Sequence, residues 1–387
     1  MTGGGMPMAG SAGTAGSNST SGGGAGGVVT TGGAGMGGMS GGSGSGGGGA
    51  GGADTMPKLL SQTGLFTDMV QQTLAPGVYA YEPAYTLWSD GADKKRWVYM
   101  PPGGKIQTDA VVHGMDYWVY PTGFKLWKEF RREGKLIETR LLQKKGEGVS
   151  NWYMVAFKWK DDHSDAEALT DGEMNSMGTQ HDIPDQKACG SCHGTMYDNV
   201  LGFTAVQLSH SIVGSMNLDQ ASQLGWFNTP PTAGGYKLPG TPVEQAALGY
   251  LHANCGICHN SLSKLFTGKT SLDLWARSEQ LQSVQTTRAY LSMVCDQWPS
   301  VKGLTPPITA CEAGHATGAP MDITDISKAK RIVPKDPANS SVHDLMSLRV
   351  AGATADSIQM PPLATEIPDT MGGIKALEDW INSLPTQ

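Results

Sequence analysis

The sequence predicts an α+β fold: an antiparallel β domain comes first, and a mainly α-helical part follows it. Three observations lead there. Aromatic and β-branched residues crowd short segments between about residues 78 and 159. After about residue 165 those signals stop, and short helical patterns appear between Gly- and Pro-rich loops. Before residue 55 there is almost nothing to bury: 25 of the 54 glycines fall between Gly3 and Gly52. Residues 1–54 are therefore expected to be a disordered Gly/Ser-rich tether, and about 330 residues remain to fold.

The β-rich domain is assigned to residues 55–165. Its strand candidates are Arg96–Met100, Tyr117–Tyr120, Lys125–Phe130 and Asn151–Phe157, with turns at Pro101-Pro102-Gly103-Gly104 and Pro121-Thr122-Gly123. A small sandwich is the expected shape, with the many Trp and Tyr residues as core. In Lys125–Phe130, Leu126 and Glu129, with Arg131 beyond, are expected not to share the burial of Trp127. The basic clusters Lys94-Lys95-Arg96 and Arg131-Arg132 are expected as solvated faces.

In the helical part, Val342, Leu345, Met346 and Leu348 follow a capping signal at Asn339-Ser340-Ser341. Ile374, Leu377, Trp380, Ile381 and Leu384 recur at helical spacing after Gly372-Gly373. The net charge of −7 argues against nucleic acid as a partner. No apolar run approaches the ~18–20 residues that span a bilayer, so no transmembrane segment is expected.

Two short motifs carry chemistry: Cys189-Gly190-Ser191-Cys192-His193 and Cys255-Gly256-Ile257-Cys258-His259. Two thiols at this spacing reach the two vinyl positions of a haem, and the adjoining His is then set beneath the iron as proximal ligand. A chain of this composition would hold the pattern by chance about 0.002 times. Two zinc-binding Cys pairs are an alternative, but a zinc ribbon separates its pairs by ~15–20 residues and has no need of a His after each second Cys. Dithiol redox chemistry expects a βαβ context that is missing from this region. The expectation is two covalently bound haem c groups, in a first haem-binding region at residues 166–245 and a cytochrome c-like domain at 246–387.

Met360, in Gln359-Met360-Pro361-Pro362-Leu363, is the expected sixth ligand opposite His259. The two prolines deny it a helix and stiffen its loop. The first haem's distal position is open among His210, Met216, Met196 and His252, and a five-coordinate iron is a further alternative. Cys295 and Cys311 are expected to close a disulfide loop in an oxidising compartment.

Tyr250-Leu251-His252-Ala253-Asn254 before the second motif, Met360-Pro361-Pro362-Leu363 and the closing Leu377-Glu378-Asp379-Trp380-Ile381 resemble bacterial di-haem c-type cytochromes. The resemblance is to a multidomain group from environmental bacteria. Tyr85-Thr86-Leu87-Trp88-Ser89-Asp90-Gly91, Leu126–Phe130 and Ile137-Glu138-Thr139-Arg140 look like the β-rich leader of that group. The likeness runs from about Val78 to the C-terminus. It implies that Cys189, Cys192 and His193 carry one haem, and that Cys255, Cys258, His259 and Met360 carry the other.

The expected activity is one-electron transfer with a redox partner protein of unknown identity. The alternatives are a di-haem peroxidase or dehydrogenase subunit, and a haem-bearing surface binding or sensor module. Haem c is attached outside the cytoplasmic membrane, so a periplasmic, cell-surface or extracellular location is expected. No basic-then-apolar leader is visible, and the expectation therefore includes a signal or lipid anchor upstream of Met1.

Overall fold

Strands form where the aromatic and β-branched residues gather, and they extend further than those segments alone suggest. The computed structural model describes residues 56–109, 114–263, 272–294, 331–350, 359–362 and 365–386. Residues from Met56 onward form one compact unit. The tether of residues 1–54 and the pair Cys295 and Cys311 lie outside the described residues.

A two-stranded antiparallel pair, β1 (Phe66–Asp68) and β2 (Thr73–Leu74), precedes a six-stranded antiparallel meander. The meander runs in sequence order through β3 (Val78–Ala80), β4 (Asp93–Tyr99), β5 (Lys125–Arg132), β6 (Lys135–Lys144), β7 (Trp152–Trp159) and β8 (Ala166–Leu169). With the helices that follow, the fold is mixed α+β, as expected. The sheet also takes in Ala166–Leu169, four residues past the boundary drawn at 165.

The expected sandwich is replaced by this one large sheet with both faces covered. One cross-strand row, Trp97–Trp127–Leu141–Val155, packs with Leu60, Leu65 and Phe66. The next row, Val98–Leu126–Leu142–Met154, turns to the other face and meets Trp118, Tyr120 and Phe203. Successive side chains of a strand point to opposite faces, so two covered faces leave no polar alternation to read. Leu126 and Glu129 are accordingly as buried as Trp127 (5, 0 and 1 % exposed). The Glu129 carboxylate survives there because Arg131 Nε and Gln72 Nε2 donate to it at 2.8 and 3.1 Å.

Tyr117, Trp118 and Tyr120 are buried, yet Tyr117–Tyr120 forms no strand. Val119 exchanges two main-chain hydrogen bonds with Gln107, at 2.8 and 3.0 Å, but the N–H of Tyr120 goes to the Asp198 carboxylate. Asp198 also accepts from Trp152 Nε1 (2.8 Å) and pairs with Lys144 at 2.5 Å, both charged side chains wholly buried. Removing either partner of such a pair costs about 3–5 kcal/mol, so it locks the chain after the first Cys/His motif onto the sheet.

The helices are α1 (Gln186–His193), α2 (Ala205–Leu208), α3 (Leu218–Gln223), α4 (Pro242–Asn254), α5 (Arg288–Met293), α6 (Ser341–Ser347) and α7 (Gly373–Ser383). α4 starts at a Thr241–Glu244 capping box with Pro242 in its first turn. α7 buries Ile374, Leu377, Trp380 and Ile381, the side chains its spacing singles out. They share a core with Leu248 and Leu251 of α4 and Val342 and Met346 of α6. At α6 the Ser340 side chain does not cap: it donates to Asp336 O (2.8 Å) and accepts from Val333 N (2.9 Å). Among the described residues no helix is long and apolar enough to cross a membrane.

Candidate functional site

The first motif is helical throughout. Asp185 caps α1 by accepting from Ala188 N at 2.7 Å, which fixes the register of Cys189, Cys192 and His193 over one to two turns. Gln186 ties the helix to β7 through Met154 O (2.8 Å). His193 Nδ1 donates to Asn199 O at 2.6 Å, which fixes the tautomer and leaves Nε2 as the basic nitrogen. Burial holds the imidazole at about 4, so it is neutral at physiological pH and in the ligating form.

The second motif begins where α4 ends, with Cys255 as the C-cap and a turn closed by His259 N donating to Cys255 O (2.8 Å). Gly256 is required there: a Cβ would lie 2.8 Å from His252 O and 2.9 Å from Leu274 O. Burial lowers His259 to about 4 and raises Cys255 and Cys258 to about 12 and about 11. Burial likewise raises Cys189 and Cys192, against the pull of Arg140. None of these four cysteines is in a disulfide.

Over 60 residues separate the motifs in sequence, but the fold puts them side by side. Cys192 is close enough to Cys258 to add to the rise of its thiol. Asn260 Nδ2 donates to Met196 Sδ at 3.9 Å, and Met196, Ile257, Trp275 and Tyr117 form one buried cluster against Cys258. Among the described residues no group of three or more His, Cys, Asp or Glu side chains is arranged to hold a metal ion, so the four thiols do not converge as a zinc ribbon's would.

Met360 sits in a short fixed segment. Its N–H donates to Leu345 O (2.8 Å), and the buried Gln359 side chain bridges Val350 N (2.6 Å) to Pro361 O (3.1 Å) and Thr365 O (3.4 Å). His210 and His252 share a different geometry. Nδ1 accepts a main-chain N–H in both, from Ile212 and from Ala276 at 3.1 Å, so the neutral ring carries its proton on Nε2. The free edge of each ring thus offers a donor and not a lone pair. Met216 lies in the apolar core with Tyr81 and Phe203, apart from the cluster of the motifs.

Whether these residues suit haem c can be tested on the polar groups left without partners. Tyr117 Oη, Trp275 Nε1 and Arg277 Nε and Nη1 are buried around the second motif with no acceptor, as is Arg96 Nη2 on the sheet. Donors without acceptors cost about 1–3 kcal/mol each, and a prosthetic group carrying two carboxylates supplies the acceptors they lack. The donor set suits a group that carries carboxylates.

The sheet contributes a second feature that sequence reasoning missed. Arg96, Lys128 and Arg140 stand opposite one another on β4, β5 and β6. Glu82 pairs with Arg96 and Glu138 with Arg140, both at 2.5 Å. Lys128, partly exposed but crowded by protein, is driven well below the usual ammonium range by burial and by Arg96, Lys94 and Arg140. Its charge and that of Arg140 act on Cys192 and His193. The expectation that Lys94-Lys95-Arg96 is a solvated face holds only for Lys95. Strand alternation turns Lys94 and Arg96 inward, and Arg96 is 4 % exposed.

Comparison with protein-family models, with curated proteins and with solved structures finds no match.

Proposed function

We propose that the chain is a di-haem c-type cytochrome that transfers single electrons outside the cytoplasm, passing them to or from a redox partner protein. The observation that carries this reading is that the fold brings the two Cys-x-x-Cys-His segments together: Cys192 is close enough to raise Cys258, and Met196, just after the first motif, packs with Ile257 and Cys258 of the second. Haem c, when bound, supplies reversible one-electron iron chemistry.

The chain's own residues do the rest. Cys189, Cys192, Cys255 and Cys258 are the thioether positions. His193 and His259 present neutral imidazoles, and the Asn199 carbonyl orients the first of them. Met360 would supply its thioether to the second group, its segment held by its own main chain and by Gln359. Tyr117, Trp275 and Arg277 offer donors to carboxylates at the second motif, and the Arg96–Lys128–Arg140 row offers positive charge at the first. The second motif lies against apolar side chains that exclude water, which limits the solvent reorganisation that accompanies electron transfer, whereas the first is partly exposed.

The decisive experiment is the intact mass and visible spectrum of protein matured in a host with haem-attachment machinery. Two haem additions that survive acidic acetone are expected, with the reduced-minus-oxidised bands of c-type cytochromes. Colourless protein, or pigment extracted by acetone, sinks the proposal.

A further inference from the structure

The Tyr85–Gly91 segment has no part in the chemistry assigned so far, yet it touches both pieces of the second site. We propose that Trp88 and Asp90 form a clamp that holds the Met360 loop against the second Cys/His segment, and so set how firmly the Met360 thioether is presented. The clamp rests on the reading of Met360 as an iron ligand.

One jaw grips the end of α4. Asn254, the residue before Cys255, receives the Trp88 N–H on Oδ1 at 2.6 Å and returns Nδ2 to Thr86 O at 3.1 Å. Both ends of a single amide are thus spent on this segment. Tyr85 lies so close to Gly249 of α4 that a Cβ there would fall 2.0 Å from its ring. No side chain larger than hydrogen permits this approach.

The other jaw grips the chain just after Met360. The Asp90 carboxylate accepts from Glu366 N and Ile367 N, one oxygen each, both at 3.0 Å. Trp88 Nε1 donates to Ile367 O at 2.8 Å. Arg349 continues the linkage, with Nη2 to Ile367 O at 3.4 Å and Nη1 to Met360 O at 3.5 Å. Asp90 makes its contacts with φ of 48°, a left-handed conformation that costs a non-glycine residue free energy and that Asp tolerates better than most. The carboxylate bonds to two main-chain N–H groups offset that cost.

A thioether is a weak neutral ligand, and exogenous ligands compete for its place whenever its loop swings away. Groups outside the ligand shell that fix a ligand's position typically control affinity by 10–100-fold. Trp88 and Asp90 are positioning residues in that sense. Among the described residues their hydrogen bonds go to Asn254, Glu366 and Ile367 and not to the thiols or His259.

The test uses the mature full-length protein, with imidazole as competing ligand and the near-infrared methionine–iron band as readout. Asp90→Ala is expected to weaken the band and to tighten imidazole binding about tenfold or more, with two covalent haems still seen by mass. Asp90→Asn, which keeps one acceptor oxygen, is expected to fall between. Trp88→Phe, which loses only the indole donor, should shift imidazole binding in the same direction. Met360→Ala removes the part of the band that Asp90→Ala weakens. If Asp90→Ala and Trp88→Phe both keep the wild-type band and imidazole affinity while Met360→Ala loses the band, the clamp is overturned and the ligand stands. If Met360→Ala leaves the band intact, the ligand assignment fails and the clamp fails with it. Should Asp90→Ala not accumulate, the Asn and Phe variants carry the same readout.

Discussion

Asp116 is a carboxylate whose proton the fold holds unusually tightly. Burial pushes it up to about 6, against the opposing effects of Ser278 N, which donates to it at 2.7 Å, and of nearby Arg277. The folded chain therefore binds this proton more tightly than the unfolded chain does. Its contribution to stability is full below the ordinary value of 3.8 and is lost as pH rises through about 6. Asp116→Asn keeps an acceptor for Ser278 and removes the titration. The variant is expected to lose less stability than wild type between about pH 4 and about pH 6, by roughly 2 kcal/mol, in denaturant melts at the two pH values. Parallel curves for the two proteins would refute it. Nothing near Asp116 in sequence signals this behaviour, because its neighbours Arg277 and Ser278 arrive from far along the chain.

At the scale of elements, α4 is the axle of the second site. It carries Cys255 at its end, buries Leu248 and Leu251 against α7, and admits Tyr85 at Gly249. Gly249→Ala forces its methyl into the Tyr85 ring, an aromatic side chain with little room to retreat. A loss of about 1–3 kcal/mol is expected, measured as a lower midpoint in urea, and a neutral result would show that Tyr85 is free to move. The Thr241–Glu244 box and Pro242 mark the start of this element, though it is not among the helices expected from the sequence. Its contact with the β leader has no local signal, since a helical glycine usually reads as a weak point and not as a docking surface. In the sheet, the turns at Gly103 and Gly123 (φ of 74 and 89°) fall where Pro and Gly marked them. The edge of the Tyr117–Tyr120 segment was misjudged because Asp198, a side chain, takes the hydrogen bond that a neighbouring strand would have taken.

At the scale of the whole molecule, the β sheet lends positive charge to one motif and leaves the other to the helical part. Arg96, Lys128 and Arg140 lie on the side of the first motif, while Arg277 lies with the second. Positive charge disfavours the oxidised iron more than the reduced, so it raises a potential. On the di-haem reading, Arg140→Gln, whose charge acts on His193 and both cysteines of the first motif, is expected to lower one of the two reduction potentials by on the order of 50 mV, the effect of one charge at roughly 10 Å and an effective dielectric near 20. Spectroelectrochemical titration checks it. Equal movement of both potentials, or of neither, would separate the sheet from the first haem.

The sequence by itself determined the features written in neighbouring residues. Each Cys-x-x-Cys-His motif is five consecutive positions, and the haem attachment proposed for it rests on spacing along one turn of chain. The same holds for the apolar stripe of α7 and for the proline-stiffened Met360. Only the tertiary structure decided what stands beside what. The Trp88 bonds to Asn254 and Ile367 span 166 and 279 positions, and the cationic row joins three strands. No local pattern encodes such meetings, because they follow from how the sheet and α4 bury their surfaces together. The burial of Arg96 and Glu129 had the same origin: hydrophobic alternation reports one covered face, and here the fold covers two.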